Sequence, residues 1–149
     1  PVLPYEFKII RSPQESIYSI KKSKFVAYVF HTEDVKSVQL HLDGLRKSHH
    51  KARHHCYAYK LGLDGNQFRA NDDGEPSGTA GKPILGQIDS KEVTNIAVIV
   101  VRYWGGTLLG VPGLINAYKT AAALVLQMVP IIQNCPARVL HGMWREPVL

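Results

Sequence analysis

One stretch, Asp72 to Pro83, restricts what this chain can fold into more than any other. It reads DDGEPSGTAGKP and packs three acids, three glycines and two prolines into a short run. Glycine leaves the backbone too free for a regular helix, and proline removes a hydrogen-bond donor that a central strand needs. The run must therefore be an irregular connection. Its carboxylates are too concentrated for a plain flexible linker.

The flanking sequence says what it connects. His54 to Leu61 alternates with period two, with His55, Tyr57, Tyr59 and Leu61 on one face and Cys56, Ala58 and Lys60 on the other. Asp64-Gly65 is a hairpin signal, and Gln67 to Asn71 is the return strand. Beyond the run, Pro83 suits the first turn of a helix reaching about Ile88. The stretch thus joins a hairpin to a helix.

Elsewhere the period changes in step. Lys24 to Phe30 is apolar on both faces and reads as a central or doubly covered strand. Val35, Val38, Leu42 and Leu45 fall at helical spacing, with Thr32 as the expected N-cap and Arg46, Lys47 and His49 in the last turn. Asn95 to Val101 is a strongly apolar strand. A second glycine-rich connection, Arg102 to Gly113, leads into a helix over about Leu114 to Met128. Residues 1–19 read as an edge strand or an arm. Strands and helices in this order predict an α/β (α+β) domain, a two-layer sandwich with a mixed sheet and helices on one face. Residues 1–129 form that domain, and residues 130–149 read as a tail, three prolines among them.

The formal charge is +6, and residues 21–55 hold eight Lys/Arg against three acids, with six of the seven histidines. Such a concentration fits either a phosphate-bearing or acidic partner or a solubilising surface. No apolar run reaches the length of a membrane span, and no membrane partner is expected. The N-terminal PVLPYEFKII lacks the basic start and cleavage site of a signal peptide. Cys56 and Cys135 make no disulfide framework. The expectation is a reduced, cytoplasmic protein.

Three clusters carry candidate chemistry. Asp72, Asp73 and Glu75 have the hard oxygens that Mg²⁺ or Ca²⁺ takes, but not the spacing of a calcium loop. They could instead cap backbone N–H groups, with Ser77 and Thr79 entering the next helix and Gly78 and Gly81 open to an anion. No nucleophile elbow is present. The glycines from Gly105 to Gly113 outline a phosphate cradle but match neither nucleotide motif. Close packing of loop on strand is the competing reading, and an RNA phosphate held by backbone N–H groups and Arg102 is another. The run His49 to His55 is dense in histidine without zinc-ligand spacing, which favours a cationic surface over a metal site. His54 could pair with the acidic stretch for acid–base chemistry. No metal and no cofactor are expected. Tyr28, Tyr57, Tyr59, Phe68, Tyr103 and Trp104 would stack bases if exposed and build the core if buried.

Three blocks in order, Ala52 to Tyr59, Asp72 to Gly81, and Arg102 to Gly110 followed by Gly113 to Tyr118, resemble the IMPACT family, also called the YigZ family. The resemblance covers about Lys22 to Gln127. It implies the fold of domain 2 of a small-subunit ribosomal protein, shared with elongation factor G. Eukaryotic relatives regulate translation during amino-acid starvation, an activity resting heavily on an extra N-terminal domain. Bacterial relatives, of unsettled biochemistry, carry a small ferredoxin-like C-terminal domain, and this chain ends about where that domain would begin. Pro112 stands where the family usually has glycine, removing one N–H from the loop.

The resulting expectation is a translation-associated binding module, not an enzyme, that contacts RNA, the ribosome or a translation-regulatory protein. Its binding residues would be Lys22, Lys24, Lys47, Lys51, Arg53, Asp73, Glu75, Ser77, Thr79, Arg102, Gly105 and Gly106, with Lys21 and Arg46 adding charge. The alternative is a hydrolase using His54 with Asp72 and Asp73, Glu75 nearby.

Overall fold

The computed structural model describes residues 8–132. The chain runs β1 (Ile9–Ile10), β2 (Gln14–Ile20), β3 (Ser23–His31), α1 (Val35–Ser48), β4 (His54–Leu61), β5 (Gln67–Asn71), α2 (Gly81–Lys91), β6 (Ile96–Tyr103), α3 (Gly110–Gln127) and β7 (Ile131–Ile132). Five strands form one sheet in the order β2-β3-β6-β4-β5, and β1 pairs with β7 in a separate ribbon. Cys135 and most of the expected tail lie outside the described residues.

The α/β class is as expected, with two corrections. Every pairing in the five-stranded sheet is antiparallel, so the sheet is not mixed. Nor do the helices share one face. Helices α2 and α3 pack on the face that carries Phe25, Ala27, Val29, Cys56, Ala58, Ile96, Val98 and Val100. Helix α1 packs its Val38, Leu42 and Leu45 on the other, against Val26, Tyr57, Tyr59, Leu61, Ala97, Ile99 and Val101. The physical reason is visible in β3, β4 and β6. Strands apolar on both sides need cover on both sides. The result is three layers rather than two.

Local signals were read with smaller differences. The hairpin β4–β5, its turn at Asp64-Gly65 and the two faces of β4 are as the alternation predicts. The N-cap of α1 is Asp34, whose carboxylate accepts from the Ser37 N–H at 2.8 Å, and not Thr32. Thr32 instead donates its hydroxyl to the Asp34 carbonyl. Ser77 and Thr79 stay in the connection, because α2 starts at Gly81, and it continues to Lys91. Helix α3 starts four residues earlier than expected, at Gly110. Pro112 therefore falls in its first turn, where a missing N–H has no intrahelical partner to lose.

Candidate functional site

Antiparallel pairing fixes which segments meet. Ile20 opposes Ser23, Lys24 opposes Tyr103, Arg102 opposes His54, and Tyr57 opposes Asn71. The end of β2, the start of β3, the start of β4, the end of β5 and the end of β6 thus share one end of the sheet. The Lys21–Lys22 turn, His54, the Asp72–Ala80 connection and the Gly105–Leu109 loop all emerge there. The N-termini of α2 and α3 follow directly. The C-terminus of α1 joins them, because His49 hydrogen-bonds the Tyr28 hydroxyl at 2.6 Å and also the Tyr103 hydroxyl.

The acidic stretch is a folded structure whose three carboxylates do different jobs. Asp72 caps α2. One of its oxygens accepts from Ala80 N–H and Gly81 N–H at 3.1 and 2.8 Å, and the other from Gly78 N–H at 2.9 Å. Partial burial raises its pKa, but those three donors outweigh it and hold the carboxyl below its ordinary value. Asp73 sits in the left-handed region at φ 38°. Its carboxylate accepts from the His55 N–H at 2.7 Å, and its own N–H donates to Asn71 Oδ1 at 2.9 Å. Glu75 turns inward. The Thr79 hydroxyl donates to the Pro76 carbonyl at 2.6 Å, whereas Ser77 is exposed. Gly81 has to be glycine, since a Cβ there would lie 2.5 Å from the Asn71 nitrogen.

Glu75 is the centre of a buried cluster. Arg102 Nη1 donates to both its oxygens at 3.1 and 2.9 Å, and the Tyr118 hydroxyl donates to Oε2 at 2.5 Å. The Cys56 sulfur lies 3.4 Å from the Tyr118 oxygen and 3.1 Å from the Asp72 carbonyl. Burial pushes the Tyr118 phenol and the Cys56 thiol well above their ordinary pKa values, so both stay protonated. A thiol in that state is no nucleophile.

His54 borders this cluster. Its Nδ1 lies 2.8 Å from the Asp73 carbonyl oxygen. A carbonyl only accepts, so Nδ1 carries the proton and Nε2 holds the lone pair of the neutral ring. Nε2 is 3.8 Å from Glu75 Oε1. His54 is thus brought to the Asp73 backbone and the Glu75 side chain, not to the carboxylates of Asp72 or Asp73. Among the described residues no three His, Cys, Asp or Glu side chains gather closely enough to hold a metal ion.

The basic residues stay on the surface. Lys21, Lys22, Lys24, Arg46, Lys47, Lys51 and Arg53 are all exposed, whereas Arg102 is buried against Glu75. Lys24 Nζ lies 4.7 Å from the centre of the Tyr103 ring. Trp104 is 48% exposed, with the Arg102 guanidinium 5.5 Å from its ring centre. Tyr57 and Tyr59 belong to the core, and Phe68 is exposed on the edge strand β5. Of the two loop glycines, Gly105 is held by packing, for a Cβ would lie 2.1 Å from the Lys22 carbonyl carbon. Gly106 faces open space at φ 89°.

The sequence places Tyr118 within a helix and singles out neither it nor His55 and Asn71 as site residues. A buried tyrosine needs a partner for its hydroxyl, and that requirement was the available signal for Tyr118. The partners of His55 and Asn71 are set by the turn geometry of Asp73, which composition does not reveal.

Comparison with known proteins matches residues 21–126 to the family described as the Impact N-terminal domain. The chain is similar to the IMPACT family member YigZ of Escherichia coli (strain K12), with 44% identity over 127 residues covering 84% of this chain and 62% of that protein. It is 31% identical over 137 residues to the IMPACT family member YvyE of Bacillus subtilis (strain 168), covering 92% of this chain and 63% of that protein. The chain therefore spans less than two thirds of the length of these relatives. A crystal structure described as that of a hypothetical protein superposes with a TM-score of 0.84 at 35% identity, over 94% of this chain and 73% of that one.

Proposed function

The chain belongs to the IMPACT family through its Impact N-terminal domain, and from that premise we propose that it is a translation-associated binding module whose partner is RNA, free or within the ribosome. The observation that carries the reading is that the exposed Lys21, Lys22, Lys24, Arg46, Lys47, Lys51 and Arg53 belong to segments that meet at one end of the sheet, where the exposed Trp104 also emerges, on the face of Phe25 and Arg102. Of the neighbouring acids, Glu75 is paired with the buried Arg102, while Asp72 keeps its charge and turns both oxygens to backbone donors before and at the start of α2. Cations that release counterions from phosphates make affinity fall steeply with salt. The test is RNA binding by the full chain over a salt titration. A steep log–log decline is the expected result, and salt-insensitive binding or no binding would overturn it. A protein partner captured equally with and without nuclease would favour a regulator that docks on a translation factor.

A hydrolase is the second reading, and the pinned tautomer of His54 favours it. Nδ1–H on the Asp73 carbonyl leaves Nε2 free to accept a proton. Turnover of ester or phosphodiester substrates that disappears in His54→Gln, with the fold intact, would establish it. Turnover unchanged by that substitution would remove His54 from the reaction.

A further inference from the structure

The hairpin between β2 and β3 closes with the pair Ile20 and Ser23, leaving Lys21 and Lys22 as its two loop residues. Both are left-handed, at φ 48° and φ 69°. A two-residue turn with both φ values positive favours Asn-Gly, because a Cβ in this conformation crowds the following carbonyl, a clash that glycine lacks and asparagine offsets by local hydrogen bonding. Two consecutive lysines are therefore a conformational penalty. Nothing in the fold offsets it through their side chains. Both are exposed, and among the described residues neither ammonium group has a hydrogen bond or an ion pair. The backbone conformation serves the hairpin, but the choice of lysine at both positions has no side-chain contact to offset it, and unfavourable residue choices of this kind cluster at functional positions.

The turn is also fixed in place. Gly105 lies against the Lys22 carbonyl and the Ser23 nitrogen, where an added Cβ would come within 2.3 Å of each. The Gly105 N–H donates to the buried Ser23 hydroxyl at 3.2 Å. Trp104 is the residue before Gly105. Its indole meets the Arg102 guanidinium and remains 48% exposed. Lys24 stands on the Tyr103 ring on the opposite face of the sheet. A strained pair of cations is thus clamped beside an indole that water still reaches.

We propose that the Lys21–Lys22 turn and Trp104 form a subsite for a short segment of single-stranded nucleic acid, the two ammonium groups on successive phosphates and a base stacked on the indole. This rests on the RNA-binding reading above and names the part of the surface that holds the strand. A phosphate contact by lysine needs no fixed fork, and stacking on an aromatic ring tolerates any base. The site is therefore sequence-tolerant.

The test is the double substitution Lys21→Asn with Lys22→Gly in the full chain. It installs the residues that the turn prefers, so the fold keeps or gains stability. A fluorescent single-stranded RNA of roughly 12 nucleotides is the probe, with a DNA strand of the same sequence to ask whether the 2′-hydroxyl matters. The control is Lys36→Asn with Lys91→Asn, which removes the same charge from the start of α1 and the end of α2. The expected result is at least about tenfold weaker binding for the turn variant, with the salt slope reduced by about 0.7 per lysine. Trp104→Ala should weaken binding by a similar factor, and wild-type tryptophan emission should change on titration. If the wild type binds and both double variants weaken it equally, or neither does, the turn is not the subsite while RNA binding stands. If the wild type binds no strand, both the subsite and the reading beneath it fall.

Discussion

A single nitrogen of Arg102, Nη1, serves both carboxylate oxygens of Glu75, and both side chains are buried. Among the described residues, the arrangement leaves Arg102 Nε buried without a partner. Removing one member strands the other charge. Glu75→Gln should therefore destabilise the domain by about 3–5 kcal/mol. Tyr118→Phe, which deletes a single charge-assisted bond, should cost about 1.5–3 kcal/mol. Replacing Glu75 and Arg102 together by methionine should cost less than Glu75→Gln alone, since it also removes the orphan Nε. Urea unfolding measures all three. A Glu75→Gln protein as stable as the wild type would show that the pair contributes nothing.

Asp72 is a helix cap reached from the preceding strand. Asp72→Ala frees the N–H groups of Ala80 and Gly81 at the start of α2 and of Gly78 just before it, and should cost about 2 kcal/mol, at the high end for caps. The carboxyl is held below its ordinary value, so its contribution is complete above about pH 4 and is lost as pH falls through its folded pKa. Asp72→Asn should flatten the acid limb of a stability–pH curve. An unchanged limb would place the acid sensitivity elsewhere.

The glycines separate by what surrounds them. Gly44 lies inside α1, and among the described residues nothing comes within 4 Å of an added Cβ, so Gly44→Ala should stabilise by about 0.5–1 kcal/mol. Gly105→Ala pushes a methyl into the Lys22 backbone and should cost more than about 2 kcal/mol, because neither backbone can yield cheaply. Thermal unfolding of the two variants should move the midpoint in opposite directions.

His31, His41 and His49 all have pKa values lowered, in each case first by burial. For His49 the neighbouring His55 and Lys24 add to the effect. A histidine that resists protonation when folded binds fewer protons than when unfolded. Stability is then full above the unfolded value of about 6.5 and falls as pH drops below it. Protonation of His49 also forces both ring nitrogens to donate, although one must accept from a tyrosine hydroxyl when the ring is neutral. A smaller loss of melting temperature between pH 7 and pH 5 in His49→Gln than in the wild type would confirm the direction.

Much of this fold was legible because local signals and tertiary demands agreed. The alternation of β4 gave its two faces, and Asp64-Gly65 gave its turn. The same alternation concealed the layering. Cys56 and Ala58 are apolar opposite Tyr57 and Tyr59, and tyrosine fits either a wet or a dry face. Only the packing of Leu42 and Leu45 shows that α1 covers the tyrosines. The candidate site was legible as a set of segments but not as a set of contacts. Glu75 and Asp72 are alike in the sequence, yet one faces Arg102 and the other caps a helix. Their separation depends on the left-handed turn at Asp73 and Gly74. Arg102 looked available for phosphate because a strand end is usually solvated.

The strand order has a consequence for how the chain is made. Strand β6 lies between β3 and β4, yet it is synthesised after both. The two hairpins, β2–β3 and β4–β5, can close from local sequence as they leave the ribosome. Each then waits with one bare, strongly apolar edge until Ile96–Tyr103 has emerged to join them. Folding of this domain should therefore be late and nearly all-or-none, with a nascent chain stopped before Ile96 holding two unjoined hairpins. Truncations that end before β6 and after α3 should differ sharply in protease resistance, since α3 must also arrive to cover the joined sheet.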